Sequence, residues 1–410
     1  MAAKSRRIFS ALAGAVALLA VTAPSTGTAR PAPPSPDTDP VRVPELPRRP
    51  AATSAAQVVL SRMSLPQRVG QLFMVGTEAT SAGQATLSQI DRYHVGNVML
   101  TGRSYGGTRA PSRVAAALQA RATRPATEGV RLLVSTDQEG GMVQVLHGPG
   151  ISEMPSALTT KDRWTHDQLR NRAGAWAREL RRAGVNMNLA PVLDTVPDPA
   201  AARRNPPIGG YQRQFGYTPA VVASHGTAFA GGMAANGVLP TIKHFPGLGR
   251  VGGNTDVSSD VTDRVTRRGD AYLRPFKAAV DAGVPFVMMS TAFYSRMDPT
   301  NPAAFSPFII RTVLRGDLGF RGVVISDDLS NAEQVASWPA RARAVKFIRA
   351  GGDMVLTVNP ATLPAMYDAV LHRARRHPTF RAKVESAALR VLRVKESHHL
   401  LGRAAERSVE

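Results

Sequence analysis

The sequence predicts an α/β fold, a single (β/α)8 barrel carried behind an N-terminal export segment and a short tether. Three observations predict it. From about Thr53 the 410-residue chain alternates short apolar runs with longer amphipathic stretches. Eight such runs occupy about 350 residues, the size an eight-stranded barrel with long loops requires. Their strand–helix alternation implies a parallel sheet with right-handed crossovers. The competing arrangement is an open doubly wound sheet. No glycine fingerprint follows the first run, which argues against a dinucleotide-binding version of it.

The N-terminus reads as a signal peptide over residues 1–29. Lys4, Arg6 and Arg7 form a basic region ahead of the apolar run Ile8 to Ala23, and Gly27-Thr28-Ala29 offers a small-residue cleavage site. The apolar run is shorter than the roughly 20 residues of a spanning helix, although a retained anchor is the alternative. Ser5-Arg6-Arg7-Ile8-Phe9 also resembles a twin-arginine signal. Export by either route places the expected product outside the cytoplasm, secreted or at the cell wall. Residues 30–52 hold eight prolines, from Pro31 to Pro50, and read as an extended linker.

The barrel is expected over residues 53–405. Its strands are read at Val69–Val75, Gly96–Leu100, Arg131–Thr136, Val185–Pro191, Val238–Ile242, Val284–Ser290, Gly322–Ser326 and Met354–Val358. Each is apolar, partly β-branched and bounded by Gly, Pro or polar residues, as a strand buried on both faces must be. Helices are expected at Asp167–Arg182, Pro219–Asn236, Arg267–Ala282, Pro339–Ala350 and Pro364–Arg375, with a closing helix over Val384–Leu401. Met288, Met289, Trp176 and Trp338 read as core, and His398-His399 as surface.

Composition narrows the chemistry. The absence of cysteine excludes disulfides, thiolate metal sites and a cysteine nucleophile. Lys and Arg outnumber Asp and Glu by 51 to 30, a net charge of +21. The arginines are scattered, and aromatics make up only 6% of the chain, so a base-stacking nucleic-acid surface is not expected. An anionic cell wall is the partner that charge suits better.

In such a barrel the working residues stand at the C-terminal ends of the strands. That rule nominates Asp137, Asp194, Lys243-His244, Ser290-Thr291, Asp327-Asp328 and Asn359. Asp327 ends run seven as a rigidly held carboxylate, while Asp328 suits a helix cap. Lys243 and His244 follow run five directly and are placed to bind hydroxyl groups. The plainer role for that lysine is an ion pair with Asp327 or Asp194. Gly247, Gly249, Gly252 and Gly253 make the next loop flexible, as a lid would be.

Several segments in one order now resemble glycoside hydrolase family 3, in particular its single-domain bacterial β-N-acetylglucosaminidases of cell-wall turnover. They run from Leu65-Pro66-Gln67-Arg68-Val69-Gly70-Gln71-Leu72-Phe73 through Asp137-Gln138-Glu139-Gly140-Gly141 and Asn188 to Asp194. Arg213-Gln214-Phe215-Gly216, Lys243 to Gly249 and Gly322 to Ser330 complete the set. The resemblance implies the same barrel, Asp327 as nucleophile, and Asp137, Arg213, Lys243 and His244 as sugar ligands. It implies a retaining double displacement on peptidoglycan fragments or other β-GlcNAc glycosides, with no metal and no cofactor, in a monomer.

The chain departs from that pattern in two places. The family's acid/base histidine and its orienting aspartate fall on Asp256 and Asn254, so Asp256 is expected to take over as the acid, with Asp260 and Asp263 weaker candidates. Two arginines usual after the Asp-Gln-Glu-Gly-Gly segment are here Met142 and Val145. A β-glucosidase or β-xylosidase of the same family is one alternative. A non-catalytic wall-glycan-binding protein is the other.

Overall fold

The computed structural model describes residues 54–402. The expected signal peptide, the linker over residues 30–52, residue 53 and the last eight residues lie outside the described part. Eight parallel strands form one sheet: β1 (Phe73–Glu78), β2 (Asn97–Thr101), β3 (Leu133–Thr136), β4 (Met187–Asn188), β5 (Leu239–Phe245), β6 (Phe286–Met289), β7 (Val323–Ser326) and β8 (Val355–Thr357). They pair in chain order from β1 to β7, with β8 on the free side of β1. A parallel bridge between Ile325 and Met354 closes the ring between β7 and β8. The sheet is therefore a barrel, as the run count required.

Strand alternation sorts the side chains into two layers. Met74, Met99, Leu133, Leu239, Val323, Ile325 and Leu356 point inward and fill the barrel. Phe73, Val75, Val98, Val134, Val324 and Val355 point outward into the helix layer. The inward set also fixes which residues beyond each strand end face the mouth. Residues 323 and 325 point in, so 327 does; residues 133 and 135 lead to 137 in the same way.

Most helices fall where the amphipathic stretches put them. The observed spans include His166–Arg182, Pro219–Ala235, Ala340–Ala350 and Leu363–Arg376. Boundaries differ at several elements, β4 among them, where the expected run Val185–Pro191 yields a strand only at Met187–Asn188. The first apolar run is not all strand, because Ser64 and Gln67 form a capping box that makes Leu65–Gly70 a helix and delays β1 to Phe73. The stretch Arg267–Ala282 yields a helix only from Arg274, where Pro275 sits in the first turn. The closing helix begins at Pro378, not Val384, and ends at Glu396. It packs with Ala55–Arg62 under the N-terminal end of the barrel, burying Val59, Met63, Leu392 and Leu401 together.

Candidate active site

The C-terminal ends of the strands surround a cavity of about 240 Å³, close to the size of one sugar ring. Asp137, Arg213, Lys243, His244, Asp256, Asp327 and Asp328 line it, and Met99, Leu189, Met288, Leu356 and Val358 form its apolar floor. All six predicted catalytic and sugar-binding residues therefore converge on one mouth. Met288, read as core, is both core and floor.

A buried ion network shapes one wall. The Lys243 ammonium donates to Asp137 Oδ1 at 2.6 Å and stands 2.6 Å from Glu139 Oε1. Arg213 grips Glu139 with both arms, Nε to Oε2 at 2.8 Å and Nη2 to Oε1 at 2.7 Å. Burial alone would raise the Glu139 carboxyl, but the facing Arg213 and Lys243 charges override it and hold its pKa at about 2. Asp137 and Glu139 outweigh burial at Lys243, and Glu139 does so at Arg213, so both cations are held above their ordinary values. Lys243 thus pairs with Asp137 and Glu139, not with Asp327 or Asp194. Sequence reasoning misses Glu139 as a site residue: it lies within the Asp137–Gly141 segment, yet its two cations come from 74 and 104 positions further along the chain.

His244 is fixed from behind. Its Nδ1 lies 2.7 Å from Asp194 Oδ2, so Nδ1–H donates there and Nε2 turns toward the cavity, 3.4 Å from Arg213 Nη2. Asp194 Oδ1 also accepts the backbone N–H of His244 and of Leu248. One carboxylate therefore anchors both the histidine and the loop beyond it. In that loop Gly249 passes so close to Thr195 that a Cβ there would meet the carbonyl oxygen at 1.9 Å. Asn205 ties the same loop to the Arg213 turn, donating to the Leu248 and Val251 carbonyls while accepting from Ile208 and Gly209.

Asp327 points inward at the end of β7. Its backbone N–H donates to Met289 on β6, and its Oδ1 accepts from the Asp328 N–H at 2.9 Å. Oδ2 has no hydrogen-bond partner among the described residues. Asp328 is spent on structure, accepting from the backbone N–H groups of Ser330, Asn331 and Val358. Ser290, Thr291 and Asn359, nominated by position alone, do not line the cavity. Ser290 accepts from Ala292, and Asn359 caps the turn at Pro360–Thr362.

Asp256 enters from the loop after β5 and keeps contact with solvent at the rim. Burial of its carboxyl and the charge of Asp327 push its pKa up to about 6, despite the opposing pull of His244 and Arg213. Asn254 does not touch that carboxyl; its Oδ1 accepts the Asp256 backbone N–H at 3.0 Å. Asp263 is consumed by Val265 and Thr266, and Asp260 opens onto a separate hollow with Gly252 and Glu333. The loop itself is stitched to the segment after β7. Glu333 N–H donates to Asp256 O, Gln334 N–H to Thr255 O, and the Gln334 amide pairs with both backbone groups of Val261. Of the two departures near β3, Met142 is exposed and Val145 packs on the helix layer. Arg103 approaches them, donating to the Met142 and Gln144 carbonyls.

Comparison with known proteins agrees with this architecture. A β-hexosaminidase of Stenotrophomonas maltophilia strain R551-3 is 34% identical over 310 residues, covering 74% of this chain and 88% of its own. The β-N-acetylhexosaminidase of Beutenbergia cavernae DSM 12333 superposes with a TM-score of 0.80 at 52% identity, over 81% of this chain and 98% of that one. A family 3 β-N-acetylglucosaminidase from Paenibacillus sp. str. FPU-7 gives 0.74 at 30%, covering 82% and 63%. The model of the glycosyl hydrolase family 3 N terminal domain matches residues 64–394. The chain therefore belongs to glycosyl hydrolase family 3 and is a glycoside hydrolase built on that family's barrel.

Proposed function

We propose that this protein is an exported, retaining β-N-acetylglucosaminidase that removes terminal GlcNAc from peptidoglycan-derived glycans. The observation that carries the chemistry is the pairing of Asp327 and Asp256 in one sugar-sized cavity, with Asp256 held protonated to about pH 6. Asp327 attacks the anomeric carbon while Asp256 gives its proton to the departing glycosidic oxygen. Asp256 then takes a proton from water, which attacks the same carbon and frees Asp327. The oxocarbenium-like transition state is stabilised by a mouth in which carboxylates outnumber the two cations. Asp137, Arg213, Lys243 and His244 bind the sugar hydroxyls. The sugar assignment draws on the named relatives, and the wall assignment on the N-terminal segment and the +21 charge.

The test uses purified protein and two aryl glycosides that differ only at C2. Turnover of the β-N-acetylglucosaminide is expected to exceed that of the β-glucoside and to fall at least about 10³-fold in Asp327→Asn. A faster β-glucoside would reject the sugar. No turnover of either by the wild type would reject hydrolysis at this site and leave glycan binding.

A further inference from the structure

The outer wall of the barrel carries a groove that glycoside cleavage does not use. It runs between the helices Phe308–Asp317, Ala340–Ala350 and Pro378–Glu396. Two adjoining hollows of about 560 and about 460 Å³ share Arg311 and Lys383. Arg311, Arg315, Lys346, Arg349, Lys383 and Arg390 line them, with Asp353 as the one carboxylate. The groove reaches the turn before β8, at the opposite end of the strands from Asp327.

Asp353 does not neutralise the groove. It is 1% exposed, and its oxygens are taken by Arg315 at 2.6 Å, Arg390 at 2.8 Å and the Val324 N–H at 2.8 Å. Arg311 is held in place by donating to the carbonyls of Arg349 and Ala350, at the C-terminal end of their helix. Lys346 lies over the Trp338 ring, 5.7 Å from its centroid. Lys383 is half-buried, and no acid pairs with it among the described residues. Its partial burial and the Arg311 charge lower its pKa below the ordinary lysine value. Like charges gathered in a concavity focus a positive potential there, and an anion between them relieves the repulsion.

The helix sequence places binding groups in register. Thr379, Lys383, Ser386 and Arg390 recur at spacings of four, three and four, which puts them on one stripe facing the groove. The adjacent stripe, Phe380, Val384, Ala387 and Val391, is buried against the barrel. The Thr379 and Ser386 hydroxyls have no hydrogen-bond partner among the described residues.

We propose that this groove binds a flexible polyanion whose charges are phosphate groups. Ammonium, guanidinium and hydroxyl donors converge from different helices, which suits a tetrahedral oxyanion better than a planar carboxylate that one guanidinium fork satisfies. The only aromatic lining the hollows is Phe305, so there is no platform for stacking bases. No large exposed apolar side chain lies there to enter a membrane. Two hollows end to end fit a chain of phosphates better than a single ion.

The test is fluorescence anisotropy of labelled inorganic polyphosphate with the full-length protein across a salt series. Saturable binding that weakens steeply with salt is expected, and Lys346→Ala/Lys383→Ala should lose about tenfold or more. Arg181→Ala/Arg182→Ala removes the same charge from the remote helix His166–Arg182 and should bind as the wild type does. Equal losses in the two double variants, at matched melting temperatures, would reduce the effect to net charge and overturn the site. Competition by poly(glycerol phosphate) identifies a polyol-linked source, and its failure identifies an inorganic one. Equal competition by polyglutamate would overturn the phosphate assignment.

Discussion

Asp256 has its useful protonation state because of where it stands. An aspartate in bulk water is ionised well below pH 6; this one, although it reaches solvent at the rim, has its pKa pushed up to about 6 by partial burial of its carboxyl and by Asp327 opposite. In the general-acid role proposed for it, Asp256 must carry its proton when the glycosidic bond breaks, so kcat/KM is expected to fall as pH rises through about 6. In Asp256→Asn that limb should vanish and the rate should drop roughly 10²–10⁴-fold, less for aryl leaving groups that depart without a proton. An unchanged limb in the pH–rate profile of the variant would assign the proton to another group. Asp327 was legible because its direction follows from the alternation of the strand before it. Glu139, Asn205 and the true partners of Lys243 were not, since each interaction joins loops far apart in sequence.

Elements decide how firmly those residues are held. The glycine-rich loop after β5 was expected to be a mobile lid, yet it is hydrogen-bonded to the segment after β7, with Gln334 closing on both backbone groups of Val261. Gln334 is only 2% exposed and touches neither proposed catalytic carboxylate, so it acts as a positioning residue. Gln334→Ala is expected to lower kcat/KM by about tenfold and to move the limb near pH 6 downward, because a loosened loop carries the Asp256 carboxyl away from Asp327 and further into solvent. A lower rate with an unmoved limb would mean that the loop stays shut without Gln334. The strand positions were readable from apolar runs, whereas boundaries moved wherever a cap overrode the pattern, as Ser64 does ahead of β1. No sequence pattern announces the grip of Gln334.

At the scale of the whole molecule the eightfold alternation was the clearest signal, because a barrel buries both faces of every strand. Its lower end hides a less legible feature. Lys395, on the closing helix, is fully buried and donates to Gln71 Oε1 and the Gly96 carbonyl, each at 2.8 Å, with no acid beside it. Burial lowers its pKa to about 7 from an ordinary 10.5. Between those values the unfolded chain binds the proton more tightly than the folded one, so this residue makes stability rise with pH across that window and contributes no slope below it. The melting temperature of Lys395→Met, measured relative to the wild type, should therefore decline from pH 7 to 10. Parallel curves for the two proteins would show that Lys395 does not titrate on folding.

The facing carboxyls of Asp256 and Asp327 have a pharmacological consequence. The proposed acid step needs Asp256 neutral, whereas above about pH 6 its carboxyl is ionised. A sugar mimic with a protonated ring nitrogen would then gain the ionised Asp256 carboxylate as a partner, at the pH where the proposed acid step is slow. Inhibitor and substrate would select opposite ionisation states of a single side chain.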